Sequence, residues 1–123
     1  MATKTKITYP KRGEIYLVGF DPALGAEIQK TRPALILQNN VANRHSPLTI
    51  VAAITSKFSE EPYPVDVLIE APEGGLAVNS VVMLDQVRSM DKERLVRRLG
   101  QVGPETMSRV DRALMISLGL VKI

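Results

Sequence analysis

The chain contains no cysteine, no tryptophan and a single histidine, His45. Without thiols there are no disulfides, no thiolate nucleophile and no sulfur-based zinc site, and one imidazole leaves too few donors for a transition-metal centre. The sequence therefore predicts neither a bound metal nor a cofactor. Aromatic residues are only 4% of the chain, so any stacking against nucleic-acid bases rests on five rings: Tyr9, Tyr16, Phe20, Phe58 and Tyr63. Tyr16 and Phe20 lie in an apolar run and read as core. No window reaches the roughly 18 uninterrupted apolar residues of a membrane span, and the polar, lysine-bearing start has no apolar segment behind it. The expected setting is the cytoplasm, with no membrane partner.

What is present fits one domain. The 123 residues are 45% hydrophobic, enough for a single compact core. Residues 1–11 are polar and read as a flexible tail, leaving 12–123 as the domain. The net charge of +3 comes from Lys4, Lys6 and Lys11 in that tail, so it says little by itself. Segregation says more. Residues 28–59 carry Lys30, Arg32, Arg44 and Lys57 without an acid, whereas 60–87 carry Glu60, Glu61, Asp66, Glu70, Glu73 and Asp85 without a base. Such blocks fold either into a basic groove beside an acidic face or into ordinary solvated sheet edges.

Short apolar, partly β-branched runs bounded by turn residues predict strands at Ile15–Phe20, Ala34–Gln38, Leu48–Thr55, Val65–Glu70, Ser80–Leu84 and Asp85–Met90, with a bend at Asp85. One helical turn is expected at Val41–Asn43. Residues 92–100 read as a short helical turn followed by a strand ending near Val102. Pro104 and Glu105 open a final helix whose apolar face is Met107, Val110, Leu114 and Leu118, with Gly119 beyond its end. Few long crossovers and one terminal helix give an α+β fold: a mostly antiparallel, strongly bent sheet or small barrel carrying a helix.

The segment between the first two strands is longer than a hairpin needs and delivers Glu27, Gln29, Lys30, Thr31 and Arg32 just before the second strand. Pro33 biases Arg32 to extended backbone, so its guanidinium is aimed and suits a phosphate or a developing oxyanion. A purely structural role, with Arg32 tied to a carboxylate such as Asp85 or Glu27, is the other reading. Thr55 and Ser56 end the third strand, where hydroxyls either donate to phosphate oxygens or merely begin a turn. Glu27, Asp85 and His45 are the candidate proton carriers. Asp85, between an apolar and a polar segment, is expected to be partly desolvated, and His45 reads as a loop surface residue.

The runs RGEIYLVGFDP, TRPALILQN, TIVAAITS, DQVRSMDKERL and the terminal SLGL, in this order and spacing, resemble the MazF/PemK toxins of bacterial toxin–antitoxin pairs. The resemblance covers nearly everything after Lys11. It implies an SH3-like small barrel of the PemK/CcdB type and a homodimer. It also implies a metal-independent endoribonuclease that cuts single-stranded RNA at short sequences, with the substrate's 2′-hydroxyl attacking the adjacent phosphate. A cognate antitoxin whose tail fills the RNA groove is implied as a partner. Carried over by position, Arg32 and Thr55 fall on the family's active-site arginine and threonine. Some members assign base work to the aspartate of the DQ step, here Asp85, with an arginine two positions earlier, where this chain has Met83. Glu27, Gln29, Lys30 and Thr31 fall in or beside the family's mobile loop. Ser56, Lys57, Gln86 and Arg88 are expected along the RNA path. Two alternatives on the same barrel are a CcdB-like gyrase poison, acting through a C-terminal apolar surface, and an inactive relative that only binds RNA or antitoxin.

Overall fold

The computed structural model describes residues 9–20, 31–61 and 63–122. Six strands, β1 (Glu14–Gly19), β2 (Thr31–Ile36), β3 (Leu48–Thr55), β4 (Asp66–Ile69), β5 (Ser80–Asp91) and β6 (Leu95–Gln101), form one antiparallel sheet in the order β4-β5-β3-β2-β1-β6. Helix α1 (Asn40–His45) joins β2 to β3, and α2 (Pro104–Ser117) closes the domain.

Side chains alternate across the pleat, and both faces of the central strands are covered. Ile15, Leu35, Ala52 and Ile54 face a larger cluster with Val67, Ile69, Val82 and Leu84, over which Val110 and Ala113 of α2 pack. Val18, Ala34, Ile36 and Val51 face a smaller cluster with Met90, flanked by Tyr16, Phe20 and Leu95. One long strand serves both clusters because β5 is bent. Between the pairs Ile54↔Val82 and Ala52↔Val87, two steps along β3 are matched by five along β5. Met83 to Gln86 therefore have no partner on β3, an irregularity that turns the strand toward the second face. The expected bend at Asp85 is thus present, inside one twelve-residue strand rather than between two.

The sheet does not close into the expected barrel. Its edges, β4 and β6, are not hydrogen-bonded to each other. A 3-10 turn at Glu73–Gly75 packs instead on β6, so closely that a Cβ on Gly75 would lie 2.0 Å from the Leu99 carbonyl oxygen. Backbone packed on backbone fills the gap that a closing ladder would occupy.

Helix α2 begins at Gly103 without a side-chain cap of its own. Glu73 supplies the cap from a distance: its Oε2 accepts from the Gly103 N–H at 3.0 Å and the Thr106 hydroxyl at 2.6 Å. A carboxylate at a helix N-terminus satisfies orphan donors and opposes the positive dipole end. Those hydrogen bonds, that of Thr106 foremost, hold the Glu73 carboxyl below its ordinary range, and nearby Arg109 adds to the effect. The buried stripe of α2 is Thr106, Val110 and Ala113. Leu118, expected on that face, is 61% exposed, because the helix has run past the sheet. Gly119 turns the chain at φ 75 as anticipated. Helix α1 is longer than the single turn expected, with Asn39 accepting from the Ala42 N–H. Among the described residues no helix is long and apolar enough to cross a membrane.

Candidate functional site

Arg32 lies inside β2, with its backbone paired to Val18 of β1. The strand thus starts three residues earlier than its apolar run, and the Thr31-Arg32-Pro33 step is structured backbone. On the other side, the β2–β3 ladder is registered only from Ala34↔Ala53. Pro33, which has no N–H to donate, sits where that ladder ends. Continued by two residues, the same register brings Arg32 level with Thr55, the last residue of β3.

Both residues line one cavity of about 480 Å³. Its rim carries Arg32, Lys57 and Arg97 with the hydroxyl residues Thr55 and Ser56, and the buried Ser80 also lines it. Its floor is apolar, from Leu17, Pro33, Ile54, Leu76 and Leu99. No carboxylate is among the described residues that line it, so among those residues three cations act on the space without an opposing charge. The Thr55 hydroxyl accepts from the Lys57 N–H at 3.1 Å and donates to the Lys57 carbonyl at 3.3 Å. It therefore begins the turn, and the long outgoing bond leaves its proton weakly committed.

A second cavity of about 410 Å³ adjoins the first through Arg32. Phe20, Ala53, Met83, Gln86 and Arg88 also line it, and the Arg88 guanidinium stacks 5.3 Å from the Phe20 ring centre. The predicted residues Arg32, Thr55, Ser56, Lys57, Gln86 and Arg88 thus gather around two connected spaces. Thr31 is exposed at the start of β2 and lines neither. Glu27, Gln29 and Lys30 lie outside the described residues.

The proton carriers fare differently. Asp85 sits in the β5 bulge, exposed and in neither cavity lining, so the expected desolvation does not arise: the bulge turns it to solvent. His45 ends α1, at the opposite end of β3 from Thr55. Seven strand steps put it on the order of 20 Å from that residue. The structural reading of Arg32 finds no support at Asp85. The ion pairs among the described residues are Arg12–Asp111 and Arg98–Glu14. Nor do those residues include any group of three or more His, Asp or Glu placed to hold a metal ion.

Two contributors were not singled out as site residues from sequence. Arg97 reaches the first cavity because β6 pairs with β1, Leu17↔Arg97, a contact across 80 residues of chain that no local pattern announces. Phe20, read as core, is only half-buried and serves as the platform under Arg88. Arg94 secures this corner by donating to the Gly19 carbonyl at 3.0 Å.

Comparison with known proteins places this geometry. Residues 11–118 match the model of the PemK-like, MazF-like toxin of type II toxin–antitoxin systems. Endoribonuclease EndoA of Bacillus subtilis (strain 168) is 41% identical over 111 residues, covering 90% of this chain and 96% of EndoA. A MazE–MazF structure from Deinococcus radiodurans superposes with a TM-score of 0.78 at 28% identity, covering 94% of this chain and 100% of that one. A mycobacterial endoribonuclease solved in complex with its cognate antitoxin superposes at 0.74, with 28% identity and 93% and 99% coverage. The chain belongs to the PemK-like, MazF-like toxin family of type II toxin–antitoxin systems.

Proposed function

We propose that this protein is an endoribonuclease toxin that cuts single-stranded RNA in the cytoplasm at short sequences, without a metal ion, and that a cognate antitoxin neutralises it. The observation that carries the reading is the meeting of Arg32 and Thr55 on a cavity whose lining, among the described residues, is cationic and free of carboxylates. Such a rim attracts a phosphodiester and repels nothing in it. The apolar floor accepts a base or ribose.

The chemistry that suits these groups is transesterification within the substrate. The 2′-oxygen gives up its proton and bonds to phosphorus while the bond from phosphorus to the 5′-oxygen breaks and that oxygen takes a proton from water, leaving a 2′,3′-cyclic phosphate and a 5′-hydroxyl. Arg32, with two donors side by side, holds the phosphate and offsets the charge that gathers on it in the transition state. The Thr55 hydroxyl, with Ser56 beside it, donates to the same oxygens. Arginine stays protonated and threonine is too weak an acid to be ionised, so neither removes the 2′-proton. We assign that step to Asp85, which stands in the β5 bulge between Met83 and Gln86 of the second cavity and has to turn in from solvent when RNA is bound, with Gln86, Arg88, Lys57 and Thr31 along the strand's path. The toxin acts as a homodimer in this reading.

The test is incubation of the pure protein with a long single-stranded RNA in EDTA, followed by mapping of the cuts and their end groups. Wild type should leave cyclic phosphate ends, and Arg32→Ala should lose on the order of 10²-fold or more in rate. No cleavage by wild type, or equal cleavage by the variant, defeats the proposal. One observation speaks for a gyrase-directed poison instead: the C-terminal residues Leu118 and Leu120 are 61% and 69% exposed. A supercoiling assay separates that activity directly.

A further inference from the structure

A third cavity, of about 710 Å³, opens on the outer side of β6 and is used by nothing described above. Among the described residues four cations line it, Lys11, Lys92, Arg97 and Arg98, against one carboxylate, Glu14. That carboxylate is already engaged. Its Oε2 accepts from Arg98 Nε at 2.6 Å and its Oε1 from the Lys11 N–H at 2.7 Å. Lys92 is tethered too, donating to the Asn43 carbonyl, with its ammonium 5.0 Å from the Tyr9 ring centre. Lys11 and Arg97 pair with no carboxylate among the described residues. Two rings, Tyr9 and the partly buried Tyr16, share the wall with exposed Val96. Burial, with the Glu14 charge beside it, raises the Tyr16 phenol above its usual value, so this ring stays neutral.

Arg97 lines both this cavity and the one that holds Arg32 and Thr55. A single guanidinium therefore sits at the junction of the candidate cleavage site and a second basic space that also offers rings. We propose that the cavity on β6 is a subsite for single-stranded RNA, holding the nucleotides that flank the cleaved step on one side. Arg97 and Lys11 take phosphates, Tyr9 and Tyr16 take bases, and Lys92 keeps the Tyr9 ring in place. Sequence-tolerant stacking beside a basic track is how single strands are held without base-edge readout. An acidic peptide would use the cations and leave the rings idle, so RNA is the better match. The proposal rests on the nuclease reading for its substrate.

Binding and cleavage separate the two. Binding is measured with RNAs carrying a 2′-deoxy residue at the mapped cut, one of about six nucleotides and others lengthened by about four on the 5′ or the 3′ side. One of the two extensions should tighten binding about tenfold, the size of one stacked base. Tyr9→Ala with Lys11→Gln should abolish that gain and lower the salt slope by about 0.7, the value for one single-strand phosphate contact. Val96→Glu, a surface change, should abolish it as well. No gain on either side with wild type, or a gain that survives both variants, overturns the subsite. So does an oligoglutamate peptide that cancels the gain equally in wild type and in Tyr9→Ala, since the rings then contribute nothing. Cleavage of the shortest all-ribose RNA reports on the nuclease reading alone, whatever the length dependence.

Discussion

Replacing Gly75 by alanine tests how the open sheet is held shut and, through it, how the cavity is shaped. Gly75 has φ 79, a left-handed conformation that costs a non-glycine residue about 1 kcal/mol. Its added Cβ would stand 2.0 Å from the Leu99 carbonyl oxygen and 2.6 Å from the carbonyl carbon. These are backbone atoms of β6, so no rotamer relieves the clash and the 3-10 turn must lift off the strand. Overpacking of this kind costs about 2 kcal/mol more, for a total of about 3 kcal/mol. Gly119 provides the control: φ is 75, but nothing lies within 4 Å of an added Cβ, so only the conformational cost of about 1 kcal/mol applies. In urea melts followed by circular dichroism, with a slope of about 2 kcal/mol per molar, Gly75→Ala should lower the midpoint by roughly 1.5 M and Gly119→Ala by roughly 0.5 M. Gly75, Leu76 and Leu99 all line the cavity with Arg32, so RNA cleavage should fall for the first variant and hold for the second. Equal midpoint shifts for the two would refute the packing argument.

Three other substitutions have defined outcomes. Glu73→Gln removes the charged cap of α2 and should cost about 1–2 kcal/mol near neutral pH. Folding lowers the Glu73 pKa, so its stabilisation is present above the ordinary carboxylate range and disappears as pH falls through the folded value. Wild type and variant should therefore converge in urea melts as pH falls below the folded value, and a constant gap would contradict the charged cap. Asn43 is fully buried and its Oδ1 accepts from the Thr49 hydroxyl at 2.8 Å and from Gln38 Nε2 at 3.0 Å. Asn43→Ala leaves the buried Thr49 hydroxyl without that acceptor and should cost about 2–3 kcal/mol in the same melts, with no mechanism left if stability is unchanged. Asp85→Asn should lower the cleavage rate on the order of 10²-fold. An unaltered rate moves the base elsewhere.

Much of the site is legible along the chain because its residues sit at strand ends marked by local chemistry. Pro33 after Arg32 and the Thr55-Ser56 ending of an apolar strand announce themselves within a few residues. What misled was exposure. The apolar run before Asp85 predicts partial desolvation, but the β5 bulge turns it to solvent, and bulges depend on the partner strand's register. Leu118 continues a helical period past the point where there is still a sheet to cover. Both positions depend on a neighbouring element that the local pattern does not contain.

Composition and order by themselves determined the strand content, the terminal helix, the absence of thiol chemistry and the family, since these rest on residue types and spacing. The tertiary structure alone decided that the sheet stays open, with the Glu73–Gly75 turn against β6 in place of a closing ladder. It alone brought Arg97, on β6, to the cavity of Arg32, on β2, with β1 lying between. The physical reason is shared: strand pairing joins segments far apart in sequence, and the energy that selects one partner over another lies in contacts that exist only once the chain has folded.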